Sequence, residues 1–258
     1  MTKGTALITG ASSGIGEALA RHFAENGFDL VITARRLSKL QSLSDELRKL
    51  VNVQVVDCDL ATNEGIQQLI TDVSATQIHV LVNNAGIAYP GAFQSQSLAD
   101  IENTISLNIT GLTRLIHHFL PDMIARGAGR ILNVASVASF QPVPSMSAYA
   151  ASKAYVLSLT ESLSEELKGT GVFVTALCPG LTRTDMLEDV QGADIPAFLM
   201  SSPAEVAQQG YEALMNREVI KIPGVTNQAA VAWAKHQPRW LVRGIGGILA
   251  RLNPGSLR

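Results

Sequence analysis

Apolar runs of four to six residues alternate along this chain with longer stretches whose apolar positions recur every three or four residues. The short runs read as buried strands and the longer patterns as amphipathic helices. Strands are predicted at Thr5–Thr9, Asp29–Thr33, Val53–Val56, His79–Val82, Arg130–Ala135 and Val172–Leu177. Helices are predicted from Gly14 to Asn26, stopping at Gly27, from Leu37 to Leu50, and from Ala148 to Lys168, with further helical patterns in the other gaps. Strands separated by helices of this length imply βαβ units and a parallel sheet. Right-handed crossovers then give a doubly wound, Rossmann-type α/β/α sandwich in a single domain.

Composition narrows the picture only a little. A chain of 258 residues that is 47% hydrophobic and 16% charged can bury a full core unaided. A net charge of −2 excludes a general nucleic-acid binder. Cys58 and Cys178 sit in strand-like runs without metal-ligand spacing, so buried thiols in a reducing, cytoplasmic setting are expected, and no metal. Met1-Thr2-Lys3-Gly4 leads straight into an apolar strand, so no secretory signal is expected. No apolar run approaches the ~18 residues of a membrane span.

In a doubly wound sheet, ligands bind outside the carboxyl ends of the strands. The chemically informative residues fall there: Gly10 to Gly16, Arg35 and Arg36, Asp59, Asn83 to Gly86, Ser136, then Pro179 and Gly180. Gly10-Ala11-Ser12-Ser13-Gly14-Ile15-Gly16 links a strand to a helix, letting backbone approach a pyrophosphate that the helix N-terminus attracts. An NAD site usually places an acidic residue after the second strand. Arg35 and Arg36 stand there instead, and two guanidinium groups fit the 2′-phosphate of NADP(H). Further on, Tyr149 and Lys153 share a helix face one turn apart. An ammonium beside a phenol is expected to lower the phenol's pKa, producing an acid/base for a carbonyl or alcohol. Ser136, ending the fifth strand, can polarise the same oxygen.

Together Thr9-Gly-x-x-x-Gly14-x-Gly16, Asn83-Asn84-Ala85-Gly86, Asn108, Ser136, Tyr149-x-x-x-Lys153 and Pro179-Gly180-x-x-x-Thr184 are a specific, ordered set. Over roughly residues 4 to 225 the chain resembles a short-chain dehydrogenase/reductase of the ~250-residue branch. The resemblance implies Tyr149 as general acid/base, and Lys153 as its tuner and a ligand of the nicotinamide ribose. It implies Ser136 as the carbonyl-polarising group and Asn108 as the holder of a water on the proton path. It also assigns Asn84, Ala85 and Gly86 to the adenine ribose, Asp59 and Leu60 to the adenine, and Thr182 and Thr184 to the carboxamide. Many NADP-dependent members carry a basic residue where this chain has Ser13, so phosphate binding here is expected to rest on Arg35, helped by Arg36, Ser12 and Ser13.

The expected activity is hydride transfer between NADP(H) and the carbonyl or hydroxyl of an apolar small molecule by a homodimer or homotetramer. A reductase of 3-oxoacyl thioesters and a non-catalytic NADP(H) sensor or scaffold are the alternatives. The sensor is disfavoured because Asn108, Ser136, Tyr149 and Lys153 are all present. Pocket walls are expected from Ile87 to Tyr89, Val137 to Phe140, Pro142 to Met146, Leu181 and an apolar loop at about 185–200. Residues 1–225 are read as the catalytic domain, and 226–258 as a basic extension containing Trp233 and Trp240. That extension can lie on a membrane surface, cover the pocket, join a neighbouring subunit or pack on its own domain.

Overall fold

A computed structural model describes residues 2–184 and 200–252, with side chains through Ile248. Seven parallel strands form one sheet in the order β3-β2-β1-β4-β5-β6-β7. They are β1 Thr5–Thr9, β2 Asp29–Ala34, β3 Val53–Asp57, β4 Ile78–Asn83, β5 Gly129–Val134, β6 Val172–Leu177 and β7 Ile220–Lys221. The first six agree with the sequence pattern to within a residue at each end. The seventh was not predicted, because two paired residues beside Ala176 and Leu177 are too short to show a period.

Successive side chains of each strand enter opposite cores, as the two-residue strand period requires. From β1, Leu7 joins one cluster with Val31, Leu81, Ile131, Leu115 and Val156. Ala6 and Ile8 join the other with Leu19, Phe23, Ile32, Leu40 and Leu214. The first cluster is closed by helices α3 Asn63–Asp72, α5 Leu112–Ala125 and α6 Ser147–Glu166. The second is closed by α1 Gly14–Glu25, α2 Leu37–Leu47 and α7 Pro203–Met215. Phe23 of α1 meets Tyr211 of α7 edge-to-face at 5.0 Å, which fixes these two helices on one side of the sheet.

The chain leaves β3 and returns at β4 on the other side of β1, so the strand order reverses between β1 and β4. The crevice above that reversal is the ligand position of such sheets. Between α4 Leu98–Ile105 and α5 the helix widens into a π turn at Ser106–Gly111. Two further helices, α8 Val225–His236 and α9 Arg239–Leu252, follow β7. No helix among the described residues is long and apolar enough to cross a membrane.

Candidate active site

The Gly-rich turn is held by the loop after β4. Asn84 donates from its side chain to the carbonyls of Thr9 at 2.9 Å and Gly10 at 3.2 Å. The Thr9 hydroxyl in turn accepts the backbone N–H groups of Asn84 and Ala85, each at 3.0 Å. Gly10 adopts φ +67°, and a Cβ on Gly16 would lie 2.2 Å from the Gly10 carbonyl oxygen. No residue with a side chain fits at Gly16 without opening the turn. Ser13, the N-cap of α1, makes no capping bond to the helix, so the first-turn N–H groups face the crevice without a side-chain partner. An anionic pyrophosphate fits such an end.

The two arginines are placed differently. Arg36 donates to the Ser12 hydroxyl at 3.1 Å and to the Ser13 hydroxyl at 2.6 Å, so its guanidinium lies against the Gly-rich turn. Arg35 approaches the Asp59 carboxylate at 4.0 Å. Asp59 also accepts from the Ala61 N–H at 3.0 Å, and Leu60 beside it is buried. Arg35, Arg36, Asp59 and Leu60 thus follow β2 and β3 on the side of the sheet end that also carries the Gly-rich turn after β1.

At the other end, Ser136 closes β5 and starts a short 3-10 turn, Val137–Phe140, in which it and Ser139 cap each other. Ser139 donates to the Lys153 carbonyl at 2.8 Å and so ties this turn to α6. Asn108, almost fully buried in the π turn, accepts the Ile87 N–H at 2.9 Å and donates to the Ile87 carbonyl and the Ser152 hydroxyl. The Ser152 hydroxyl in turn donates to the Tyr149 carbonyl at 2.7 Å. The π turn had no signal in the sequence period, and such bulges concentrate at functional sites. Deeper in the sheet, Asn83 donates to Asn133 at 2.9 Å and Asn133 to Thr160 at 2.9 Å, which braces β4, β5 and α6 against one another.

Lys153 is buried, donates to the Val134 carbonyl at 2.8 Å, and lies 5.7 Å from the Tyr149 ring centre. Burial lowers its pKa to about 8, with the Cys178 thiol opposing. Burial also raises the Tyr149 phenol above its ordinary value, opposed only by a hydrogen bond with Ser136. The expected lowering by the ammonium is not found: burial dominates at Tyr149, and Lys153 is itself desolvated and directed at a carbonyl. The phenol stays protonated at neutral pH. A Cβ on Gly86 would lie 3.2 Å from the Lys153 ammonium, so a side chain there would crowd it. Open backbone donors, two guanidinium groups and this ammonium together fit a phosphorylated dinucleotide.

The Pro179-Gly180 turn stands beside Ser136, whose neighbour Val137 donates to the Pro179 carbonyl at 2.9 Å. Thr182 is buried with its hydroxyl on the Gly180 carbonyl, and Thr184 packs against the Gly-rich turn at Gly14. The Gly91 N–H donates to the Ser145 carbonyl at 2.8 Å, which ties the loop after Tyr89 to the predicted wall Pro142 to Met146. The Tyr89 hydroxyl accepts from the Asn103 side-chain amide at 3.0 Å. Of the expected apolar loop, 185–199 lie outside the described residues. Sequence reasoning did not place Lys235 here: its ammonium stands 4.6 Å from the Phe140 ring centre. Only the fold could bring α8 to that turn.

The fold and site define a dinucleotide-dependent oxidoreductase of the doubly wound class. A sequence model of the short chain dehydrogenases matches residues 4–194, and the chain belongs to that family. It is 41% identical over 192 residues to sulfoacetaldehyde reductase 2 of Chromohalobacter salexigens, covering 73% of this chain and 76% of that one. It is 35% identical to the NADP-dependent 3-hydroxy acid dehydrogenase YdfG of Salmonella typhimurium, over 80% of each chain. Among solved structures, a short-chain dehydrogenase from Sphingobium yanoikuyae in complex with NADPH superposes with a TM-score of 0.82 at 35% identity, over 90% of this chain and 93% of that one. The bulky-bulky ketone specific alcohol dehydrogenase from Comamonas testosteroni gives 0.79 at 32% identity, over 93% and 96%.

Proposed function

We propose that this chain is an NADPH-dependent carbonyl reductase acting on an apolar small molecule. The observation that carries the reading is the joining of Ser136, Tyr149, Lys153 and Asn108 through one hydrogen-bonded frame at the crevice. Bound NADPH supplies the hydride. Ser136 and Tyr149 together hold the carbonyl oxygen, and the protonated Tyr149 phenol donates the proton as negative charge develops there. A phenol raised by burial is the correct form for that direction. Lys153 holds the nicotinamide ribose, and Asn108 fixes the helix turn carrying Tyr149 and a water on the route that restores the proton.

At the phosphate end, Arg35 and Arg36 with Ser12 and Ser13 take the 2′-phosphate, and the turn Gly10, Gly14, Ile15, Gly16 takes the pyrophosphate. Asp59 and Leu60 border the adenine; Asn84, Ala85 and Gly86 border its ribose. Pro179, Gly180, Thr182 and Thr184 hold the carboxamide. The reading places residues 1–225 as the catalytic unit and 226–258 as an extension of it. It also places the protein in the cytoplasm, where Cys58 and Cys178 stay reduced, as a homodimer or homotetramer. Exposed Ile105, Ile124 and Tyr155 favour the oligomer.

The test is a panel of ketones, aldehydes and 3-oxoacyl thioesters with NADPH, followed by loss of the reduced nicotinamide absorbance. Turnover of bulky apolar ketones above anionic aldehydes is expected. Turnover of none, with NADPH bound normally, would leave the sensor reading standing instead. Light scattering of the purified chain decides the oligomer.

A further inference from the structure

The last described helix turns its apolar stripe away from its own domain. On α9, Val242 is buried, and Gly246 seats on the loop after Ser136, where a Cβ would lie 3.2 Å from Pro144. The helical repeat sets Trp240, Gly244 and Ile248 on the opposite side. Trp240 is 67% exposed and Ile248 59%, with Trp233 of α8 at 49%. Two exposed cations, Arg239 and Arg243, stand on the same helix beside Trp240. Neither is in an ion pair among the described residues.

Charge is segregated along the chain in the same sense. Residues 219–258 contain six Lys/Arg and no Asp or Glu, although the chain as a whole is net negative at −2. We propose that this face docks on the surface of an anionic lipid bilayer. Trp and Ile enter the headgroup boundary while the arginines meet lipid phosphates, the pairing that interfacial amphipathic helices use. A second copy covering the same patch across a two-fold axis would oppose Arg239 and Arg243 to their own kind. A hydrophilic anionic partner would satisfy the arginines and leave Trp240 and Ile248 in water. Because Gly246 rests on the Pro142–Pro144 loop, docking sets the substrate side of the crevice beside the lipid. The inference does not depend on the reductase reading.

The experiment is co-sedimentation of the full chain with vesicles of phosphatidylcholine alone or mixed equally with phosphatidylglycerol, at low and high salt. Binding to the mixed vesicles, weakened by salt and nearly absent with phosphatidylcholine, is expected. Arg239→Gln and Arg243→Gln should each weaken it about fivefold. Trp240→Ala with Ile248→Ser should weaken it at least about tenfold. In Trp233→Phe, Trp240 emission should shift to shorter wavelength on adding mixed vesicles. Circular dichroism of each variant checks that the fold is retained, independently of activity. No binding to mixed vesicles at low salt, equal binding to both compositions, or well-folded variants that bind like the native chain would overturn the proposal. So would Trp240→Glu converting a dimer into a monomer, since a second copy would then be the occupant.

Discussion

The two ends of the crevice are built from different kinds of contact. At the phosphate end, backbone meets backbone and amide: a Cβ on Gly16 would lie 2.2 Å from Gly10 and 2.3 Å from Asn84. At the other end the contacts run through side chains: a Cβ on Gly246 would lie 3.2 Å from the Pro144 ring, and the Lys235 ammonium stands 4.6 Å from the Phe140 ring centre. Close backbone contact admits no added atom, whereas side-chain contacts can adjust. The difference teaches where this fold is free to vary. The Gly-rich turn admits no added side chain, while the contacts near Ser136 can adjust without disturbing the sheet.

Replacing Gly16 by Val should break that comparison most visibly. The added atoms have nowhere to go, so a loss on the order of 3 kcal/mol or more in thermal unfolding is expected, with NADPH binding abolished. A native-like melting curve would show that the turn is not close-packed.

Lys153→Met comes next and sharpens the boundary between the two ends. The Lys153 pKa is lowered from 10.5 to about 8, chiefly by burial, so its ammonium is present below about 8 and lost as pH rises through it. NADPH affinity of the native chain should therefore fall as pH rises above about 8. In Lys153→Met affinity should be lower throughout and flat over that range. A titration of cofactor fluorescence against pH reads both, and an unchanged slope in the variant contradicts the ribose contact.

Arg36→Ala and Arg35→Ala should each cost NADPH about thirtyfold in kcat/KM, roughly 2 kcal/mol, with NADH much less affected. The Arg36 replacement also removes the bonds to Ser12 and Ser13, so it should be the more damaging of the two. Equal losses for both cofactors would detach the arginines from the 2′-phosphate. The smallest effect belongs to Gly246→Ala. A gain in helix propensity of up to about 1 kcal/mol offsets a close but yielding contact with Pro144, so stability should change by less than about 1 kcal/mol.

The sheet was legible because continuous apolar runs and their helices carry strong periods, and six strands were predicted with nearly correct ends. Much of the crevice was legible because the Gly-rich turn, Arg35, Arg36, Asp59, Asn84 to Gly86, Ser136 and Pro179-Gly180 follow strand ends that the topology makes adjacent, while Tyr149 and Lys153 were read from their helix spacing. Four features escaped. β7 has only two paired residues, too few for a pattern. The π turn around Asn108 differs from an α-helix by one hydrogen-bond step, which side-chain spacing does not report. Lys235 meets Phe140 only through packing of elements 95 residues apart, and no local signal encodes that. The balance of charge and burial at Tyr149 escaped too, since spacing predicts the neighbour but not its desolvation.

The central claim is that Tyr149 donates the proton while the rest of the frame holds cofactor and substrate. Tyr149→Phe removes one hydroxyl and leaves Lys153 and the ring volume in place. Single-turnover reduction of the best carbonyl compound by this variant, with NADPH affinity measured on the same sample, tests the claim most directly. The account predicts a loss of at least about a thousandfold in the chemical step with an NADPH dissociation constant within about threefold of native. A variant that reduces the carbonyl at close to the native rate would contradict it.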